Sequence, residues 1–386
     1  MLFPDIRHIA AGLTAVVVGY SSAVVLVIEA ARASGVSDAG IISWLTALGL
    51  GMGISCLLFS WQSKMPVVTA WSTPGAAFLI GSASGFPLSD IIGAFLVSAL
   101  LTFVCVSFRS LFTLIARIPA SLSAALLAGI LIPICVTFFT DFTAHPAIVS
   151  AAIALYLAGL RYFPRFVMLI LLAASLIVSL IAFPLPPLAF TAPQLIWQTP
   201  SVSVESLISL AIPLFLITML SQNLPGIAIH HMHGYRPNHA LILKVLAVIQ
   251  AILAPFGAFT FNLAAITAAL CMEESVDSRP DRRYLAGIVA GVGYLFMALM
   301  ASVIALLFIA LPGVIVHLLA GLALIATLHG ALAKAMEPPS TRTAATLTIL
   351  CCASGMSFAG LSAPVWGLLV GLLALSGRKE EAAAQS

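Results

Sequence analysis

The chain has 386 residues, of which 62% are hydrophobic and only 8% charged, with a formal net charge of +3. A soluble globular protein carries roughly 25% charged residues to satisfy the water around it, so an ordinary soluble domain is excluded. Apolar runs of about 20 residues recur along the whole length, as in an all-α polytopic membrane protein.

Breaking the runs at charges, Pro and Gly predicts 14 transmembrane segments. They span 8–30, 40–61, 66–81, 90–112, 119–138, 145–160 and 164–183, then 205–223, 239–256, 259–273, 284–308, 312–333, 343–358 and 361–377. No small-residue cleavage site follows the first run, so it reads as a retained helix and not a secretory signal. The longest connectors, around 184–204 and 274–283, leave no room for a soluble domain. With the N-terminus inside and strict alternation, only Arg32 of the 16 Lys and Arg residues falls outside. By the positive-inside rule this places both termini in the cytoplasm of a bacterial-type inner membrane. Cys56, Cys105, Cys135, Cys271, Cys351 and Cys352 lie in or beside apolar runs with no CxxC pair, and read as small packing residues.

In segment one, Tyr20-Ser21-Ser22 interrupts the apolar run at mid-span, either as a helix-packing surface or as a substrate contact. Glu29 falls near its outer end. Segment three, with TAWSTPGAAF at 69–78, is short for a continuous helix, yet it reads as a helix start. Thr73 suits the N-cap and Pro74 the first helical position. If Val67–Ser72 is extended, six residues at roughly 3.3 Å plus eight or nine at 1.5 Å come to about 32 Å, one membrane crossing.

Segment eight ends in three adjacent polar residues, Ser221, Gln222 and Asn223, followed by the helix breaker Pro225. Buried amides need partners, so these face a ligand, another helix, or both. The cluster HHMHGYRPNH at 230–239 has no nearby Cys or carboxylate and reads as a solvated inner loop, with no metal site expected. Segment ten repeats the pattern of segment three. Phe259-Thr260-Phe261 is β-prone, Asn262 is a plausible N-cap, and LAAITAAL follows as a half-helix. Segment twelve carries His317 and His329, each a candidate proton carrier or simply a paired, cavity-facing residue.

Pro74 and Leu263 stand 189 positions apart, and Gly129 and Gly321, within similar stretches of segments five and twelve, stand 192 apart. This predicts two repeats of seven segments. Seven is odd, so the repeats are inverted, and interrupted helices at matching positions mark a transporter binding site. Irregular backbone within a membrane must be buried in protein, so the two extended stretches are expected to meet near the midplane and bridge through backbone hydrogen bonds. Helix N-termini would then offer positive dipole ends to an anion. No GxxxxGK[ST], HExxH or GxSxG motif is present, so neither ATP-driven transport nor an intramembrane enzyme is supported. No cofactor or nucleic-acid partner is expected.

TAWSTPGAAFLI (69–80), SQNLPG (221–226) and APFGAFTFNLAAITAA (254–269) together resemble the BenE family of benzoate/proton symporters, over nearly the whole chain. That family is similar in turn to the nucleobase–ascorbate (uracil) transporters. The resemblance implies a core domain from 8–113 and 201–310, a gate domain from 114–200 and 311–378, and an elevator-like shift of one against the other. It implies a substrate held between segments three, eight and ten. On this reading Tyr20, Trp71, Ser72, Thr73, Gln222, Asn223, Phe261 and Asn262 contact substrate. Nucleobase transporters place a glutamate where this chain has Gln222, and an acid where it has Phe261. A fixed carboxylate would repel an aromatic carboxylate at close range, whereas an amide and a ring suit it. His317 and Glu29 are the candidates for proton coupling. Import of an aromatic carboxylate with protons is the leading reading, by a monomer or homodimer in contact with lipid. Nucleobases or small inorganic anions on the same scaffold, or a channel, are the alternatives.

Overall fold

The computed structural model describes residues 3–182, 192–309 and 311–384. Residues 183–191, the first part of the predicted 184–204 connector, lie outside the described set.

The chain opens with α1 (Ile6–Ser21), whose first turn is capped by Asp5 accepting from the Arg7 and His8 amides. It continues as α2 (Val24–Ala33), the two forming one span that breaks at Ser22 and Ala23. There the Ser21 and Ser22 hydroxyls turn back onto the Val18 and Gly19 carbonyls, satisfying the local backbone. The long α3 (Asp38–Ser63), capped by Ser37, leads to β1 (Thr69–Trp71) and the half-helix α4 (Thr73–Ser82). Next come α5 (Leu88–Ser107), the short α6 (Arg109–Ala116), α7 (Ala120–Thr140), α8 (Pro146–Tyr162) and α9 (Val167–Ala182). The predicted fourth segment therefore stops five residues early: Phe108 is extended, and α6 is a separate helix.

The second half starts with α10 (Val204–Met232), then α11 (His239–Leu253), β2 (Phe261–Leu263) and the half-helix α12 (Ile266–Met272). It ends with α13 (Tyr284–Leu299), α14 (Ala301–Ile309), α15 (Gly313–Met336), α16 (Arg342–Ala353), a two-residue hairpin of β3 (Ser357–Phe358) and β4 (Leu361–Ser362), and α17 (Ala363–Ala384). Among the described residues, eight helical spans are long and apolar enough to cross a membrane, and three shorter apolar helices accompany them.

Segment eight does not end at Pro225 as predicted. Two stretches of α10, Leu207–Ala211 and Met219–Asn223, are wide π turns, and each ends two residues before a proline, Pro213 or Pro225. A proline ring clashes with the carbonyl four residues earlier and supplies no N–H. The wider turn absorbs both defects, so the helix runs on to Met232.

Small residues let the helices approach closely, as is usual within a membrane. On α3 a Cβ added at Gly53 would sit 2.6 Å from Leu295 and 3.0 Å from the Gly291 carbonyl of α13. On α7, a Cβ at Gly129 would sit 2.4 Å from Cys352, and on α15 one at Gly321 would sit 2.4 Å from Phe138. All six cysteines are free thiols, and all but Cys351 are buried.

Candidate functional site

The two extended stretches meet. β1 and β2 pair antiparallel with Thr69 opposite Leu263, Ala70 opposite Asn262 and Trp71 opposite Phe261. The pairing continues at both ends, where Ser72 N–H donates to the Thr260 carbonyl (2.9 Å) and Ala264 N–H to the Val68 carbonyl (3.0 Å). Each broken segment thus satisfies the backbone of the other, which lipid could not do. Residues directly opposite share a face of the ribbon. Thr69 Oγ1 lies 2.6 Å from Ser55 Oγ of α3, and the Phe261 ring lies over Gly51 of α3, where an added Cβ would meet Cζ at 2.2 Å. Ala70 and Asn262 therefore look away from α3.

Two N-cap expectations need correction. Ser72, not Thr73, caps α4: its Oγ accepts from Gly75 N–H at 3.1 Å, and Thr73 is the first helical residue. Both residue types can cap, and Pro74 fits either register. Asn262 caps nothing, because it sits within β2; α12 starts four residues later after Ala265, with no side-chain cap. The ribbon takes up the residue whose type favoured a cap.

The hydroxyl of Thr218, one turn before the predicted polar trio, joins both broken segments. Thr218 Oγ1 is 3.0 Å from Ser72 Oγ and 2.9 Å from Thr260 Oγ1. With a single proton it donates to one and accepts from the other. The π turn then presents Ser221, Gln222 and Asn223. Asn223 Oδ1 accepts from Leu263 N–H at 3.0 Å, so its carbonyl is committed to the strand. Ser221 Oγ donates to its own helix at Ile217. Gln222 is half-buried, and its amide meets no protein partner among the described residues.

Two polar atoms are buried here without a partner: Tyr20 Oη and Asn262 Oδ1. The Tyr20 ring stacks at 4.9 Å on the Trp71 ring, tilted by 60°. Tyr20, Trp71, Ser72, Asn223, Phe261 and Asn262 are each at most 5% exposed, so the site is closed in this conformation. Unlike a typical buried core, it gathers unsatisfied polar groups beside an aromatic pair, with no acidic side chain among the eight predicted residues.

The ionisable candidates lie elsewhere. His317 Nδ1 is 2.8 Å from Asp141 Oδ2, a partner across 176 residues that the sequence did not reveal. Glu29 is engaged by Arg32 at 2.8 Å, and His329 is exposed on α15. The histidine-rich stretch is only partly the solvated loop expected. His230 is fully buried, its Nδ1 2.8 Å from the Gly226 carbonyl, because α10 extends through it. Among the described residues, one group with metal-ligand atoms forms at the start of α1, from Asp5, His8 and Asp277. There His8 is buried with Asp5 Oδ1 at 2.7 Å and Asp277 Oδ2 at 3.3 Å, and Arg282 also reaches Asp277 at 3.7 Å. Arg283 donates to the Asp277 and Met272 carbonyls, so positive charge already serves this cluster and it reads as an ion-pair network tying α1 to the loop before α13.

Residues 3–376 match the family model described as BenE, benzoate membrane transport protein. The inner membrane protein YdcO of Escherichia coli (strain K12) is 35% identical over 364 residues, covering 94% of this chain and 93% of that protein. The benzoate membrane transport protein of Acinetobacter baylyi is 34% identical over 368 residues, again covering 94% and 93%. Among solved structures, the transmembrane domain of the cyanobacterial bicarbonate transporter BicA superposes with a TM-score of 0.56 at 13% identity, covering 96% of this chain and 98% of that one. The structure of SLC26A9 gives a TM-score of 0.60 at 14% identity, over 96% of this chain and 66% of that one. These likenesses show a fold shared with BicA and SLC26A9, and they do not show the expected link to the nucleobase–ascorbate transporters. With the family model spanning almost the whole length and two relatives above 30% identity, the chain belongs to the BenE family of benzoate membrane transport proteins.

Proposed function

We propose that this chain is a secondary transporter that imports benzoate or a related aromatic carboxylate with protons, across 14 segments in two inverted repeats, with core residues 8–113 and 201–310 shifting against gate residues 114–200 and 311–378. The observation that carries the reading is the antiparallel pairing of β1 with β2, which brings two half-helix starts to one closed, acid-free site. Antiparallel pairing of matching strands is what an inverted repeat requires. The substrate carboxylate fits between the Thr73 end of α4 and the start of α12, where helix dipoles favour negative charge. The substrate ring fits against Tyr20 and Trp71, since Phe261 is committed to Gly51. Gln222, with its free amide, replaces the fixed carboxylate that would repel an anion.

A carboxylic acid with a pKa of roughly 4 arrives as an anion at neutral pH, so electroneutral entry takes one proton per molecule. The Asp141–His317 pair is the proton-handling candidate of this reading, ahead of Glu29, which Arg32 already engages. Uptake of labelled benzoate into proteoliposomes, with and without an inward proton gradient, tests the proposal. Lack of stimulation by the gradient excludes proton coupling, and lack of saturation and counterflow excludes a carrier. The fold shared with a bicarbonate transporter favours a small inorganic anion as the second reading. Competition of benzoate uptake by bicarbonate or sulfate separates the two.

A further inference from the structure

Helix α6 is unlike its neighbours. It is eight residues long, none of them buried, and it joins α5 to α7 where the proposed core and gate halves meet. Its sequence, RSLFTLIA followed by Arg117 and Ile118, divides cleanly around a helical wheel. Arg109, Thr113 and Arg117 recur every four residues, with Ser110 beside them, and form one polar face. Leu111, Leu114, Ile115 and Ile118 form the opposite face, continuous with Phe112. Phe112, Ile115 and Ile118 are partly buried against the protein, while Phe108 (59%) and Leu114 (61%) remain exposed.

A helix this short and this exposed holds its shape only if something covers its apolar face. In a membrane-spanning chain, an amphipathic helix following directly on a spanning helix lies in the plane of the membrane surface. The charges identify the surface. Neither Arg109 nor Arg117 has a carboxylate within ion-pair range among the described residues. Both line one shallow, mainly apolar depression of about 560 Å³ together with Ser110, Leu111, Thr113 and Leu114. The Thr113 hydroxyl donates to the Arg109 carbonyl of its own helix. Two guanidinium forks beside the Ser110 hydroxyl are therefore the donors that suit a phosphate diester, and the leucine and phenylalanine side chains suit the acyl chains beneath it.

We propose that α6 is a docking site for anionic phospholipid, with Arg109 and Arg117 on the headgroup phosphate and Phe108, Leu111 and Leu114 in the acyl region of the cytoplasmic leaflet. Basic residues next to a spanning helix attract anionic headgroups in this way. The site rests on the proposed orientation, which puts α6 on the cytoplasmic side, and is independent of the benzoate reading. Because α6 links the two halves, headgroup occupancy fixes one end of the hinge between them.

Native mass spectrometry of the purified protein, titrated with phosphatidylglycerol or phosphatidylcholine, reads the site without any transport assay. Phosphatidylglycerol is expected to be retained in preference to phosphatidylcholine, with each arginine contributing about five-fold. The double variant Arg109→Gln/Arg117→Gln loses the preference, and Arg109→Lys/Arg117→Lys keeps most of it. Raising ionic strength weakens retention in the unmodified protein, which keeps the test open if the Gln variant fails to fold. Equal binding of the two lipids, or unchanged phosphatidylglycerol retention in a folded Gln variant, overturns the proposal. Displacement of the lipid by inorganic phosphate at constant ionic strength overturns it too, marking a free-anion site instead.

Discussion

The pair α7 and α15 and the pair β1–α4 and β2–α12 occupy matching places in the two halves of the sequence, yet they are held together by different physics. The first pair is continuous helix, with most backbone groups satisfied internally although Pro133 lies inside α7. It meets mainly through shape, Gly321 of α15 giving room to Phe138 of α7, with the His317–Asp141 contact at one end. The second pair gives up helical continuity, and its backbone groups must be completed by the other segment and by the Asn223 amide, while the Thr218 hydroxyl ties together the Ser72 and Thr260 side chains. Packing by shape needs no particular polar residue. Packing by exchanged hydrogen bonds leaves some polar atoms over, and Tyr20 Oη and Asn262 Oδ1 are such atoms.

That contrast breaks down, or sharpens, under substitution. The largest loss of stability is expected from Gly321→Val, where even the first added carbon lies 2.4 Å from Phe138. Overpacking of this kind costs about 3 kcal/mol, read as a lower unfolding temperature in detergent. Asn223→Leu should cost about 2 kcal/mol, since it strands the buried Leu263 N–H, and it should lower stability and benzoate binding together. Thr218→Val removes the hydroxyl shared by Ser72 and Thr260, for about 1 kcal/mol in the same assay. Gln222→Ala, whose amide has no protein partner among the described residues, should change stability by no more than about 0.5 kcal/mol while weakening benzoate binding about ten-fold or more. If Gln222→Ala instead loses protein and binding in parallel, the side chain is a packing residue like Gly321.

His317→Gln extends the comparison to the proton. His317 and Asp141 join α15 to the end of α7 with side chains 42% and 24% exposed, so their ion pair adds under about 1 kcal/mol to stability. Its expected effect is functional: counterflow of benzoate persists, and stimulation by a proton gradient falls. Unchanged gradient stimulation removes the pair from the coupling route.

Much of this arrangement was legible in the sequence because membranes punish irregular backbone. Val67–Ser72 and Phe259–Phe261 are β-prone stretches in places where a helix should continue, and each could be completed only by the other. Cap positions were less legible. Ser72 and Thr73 are equally good caps by type, and Asn262 looked like one until its pairing with Ala70 placed it in the strand. Pro225 read as a stop because proline usually is one, and nothing in a linear pattern announces a π turn that tolerates it. The partners of His317 and His8 were out of reach for a simpler reason. Asp141 and Asp277 lie 176 and 269 positions away, and spacing carries no signal over such distances.

The central claim is that the site between α4, α10 and α12 accepts an aromatic anion because no acid stands in it. Gln222→Glu places a carboxylate there with almost no change in shape. Two like charges about 4 Å apart at an effective dielectric constant of 20 repel by about 4 kcal/mol, close to a thousand-fold in affinity. Calorimetric titration of benzoate into the purified protein and into this variant measures the effect directly. Loss of binding in a variant that unfolds at the original temperature is the expected result, and benzoate bound equally well by both proteins would contradict it.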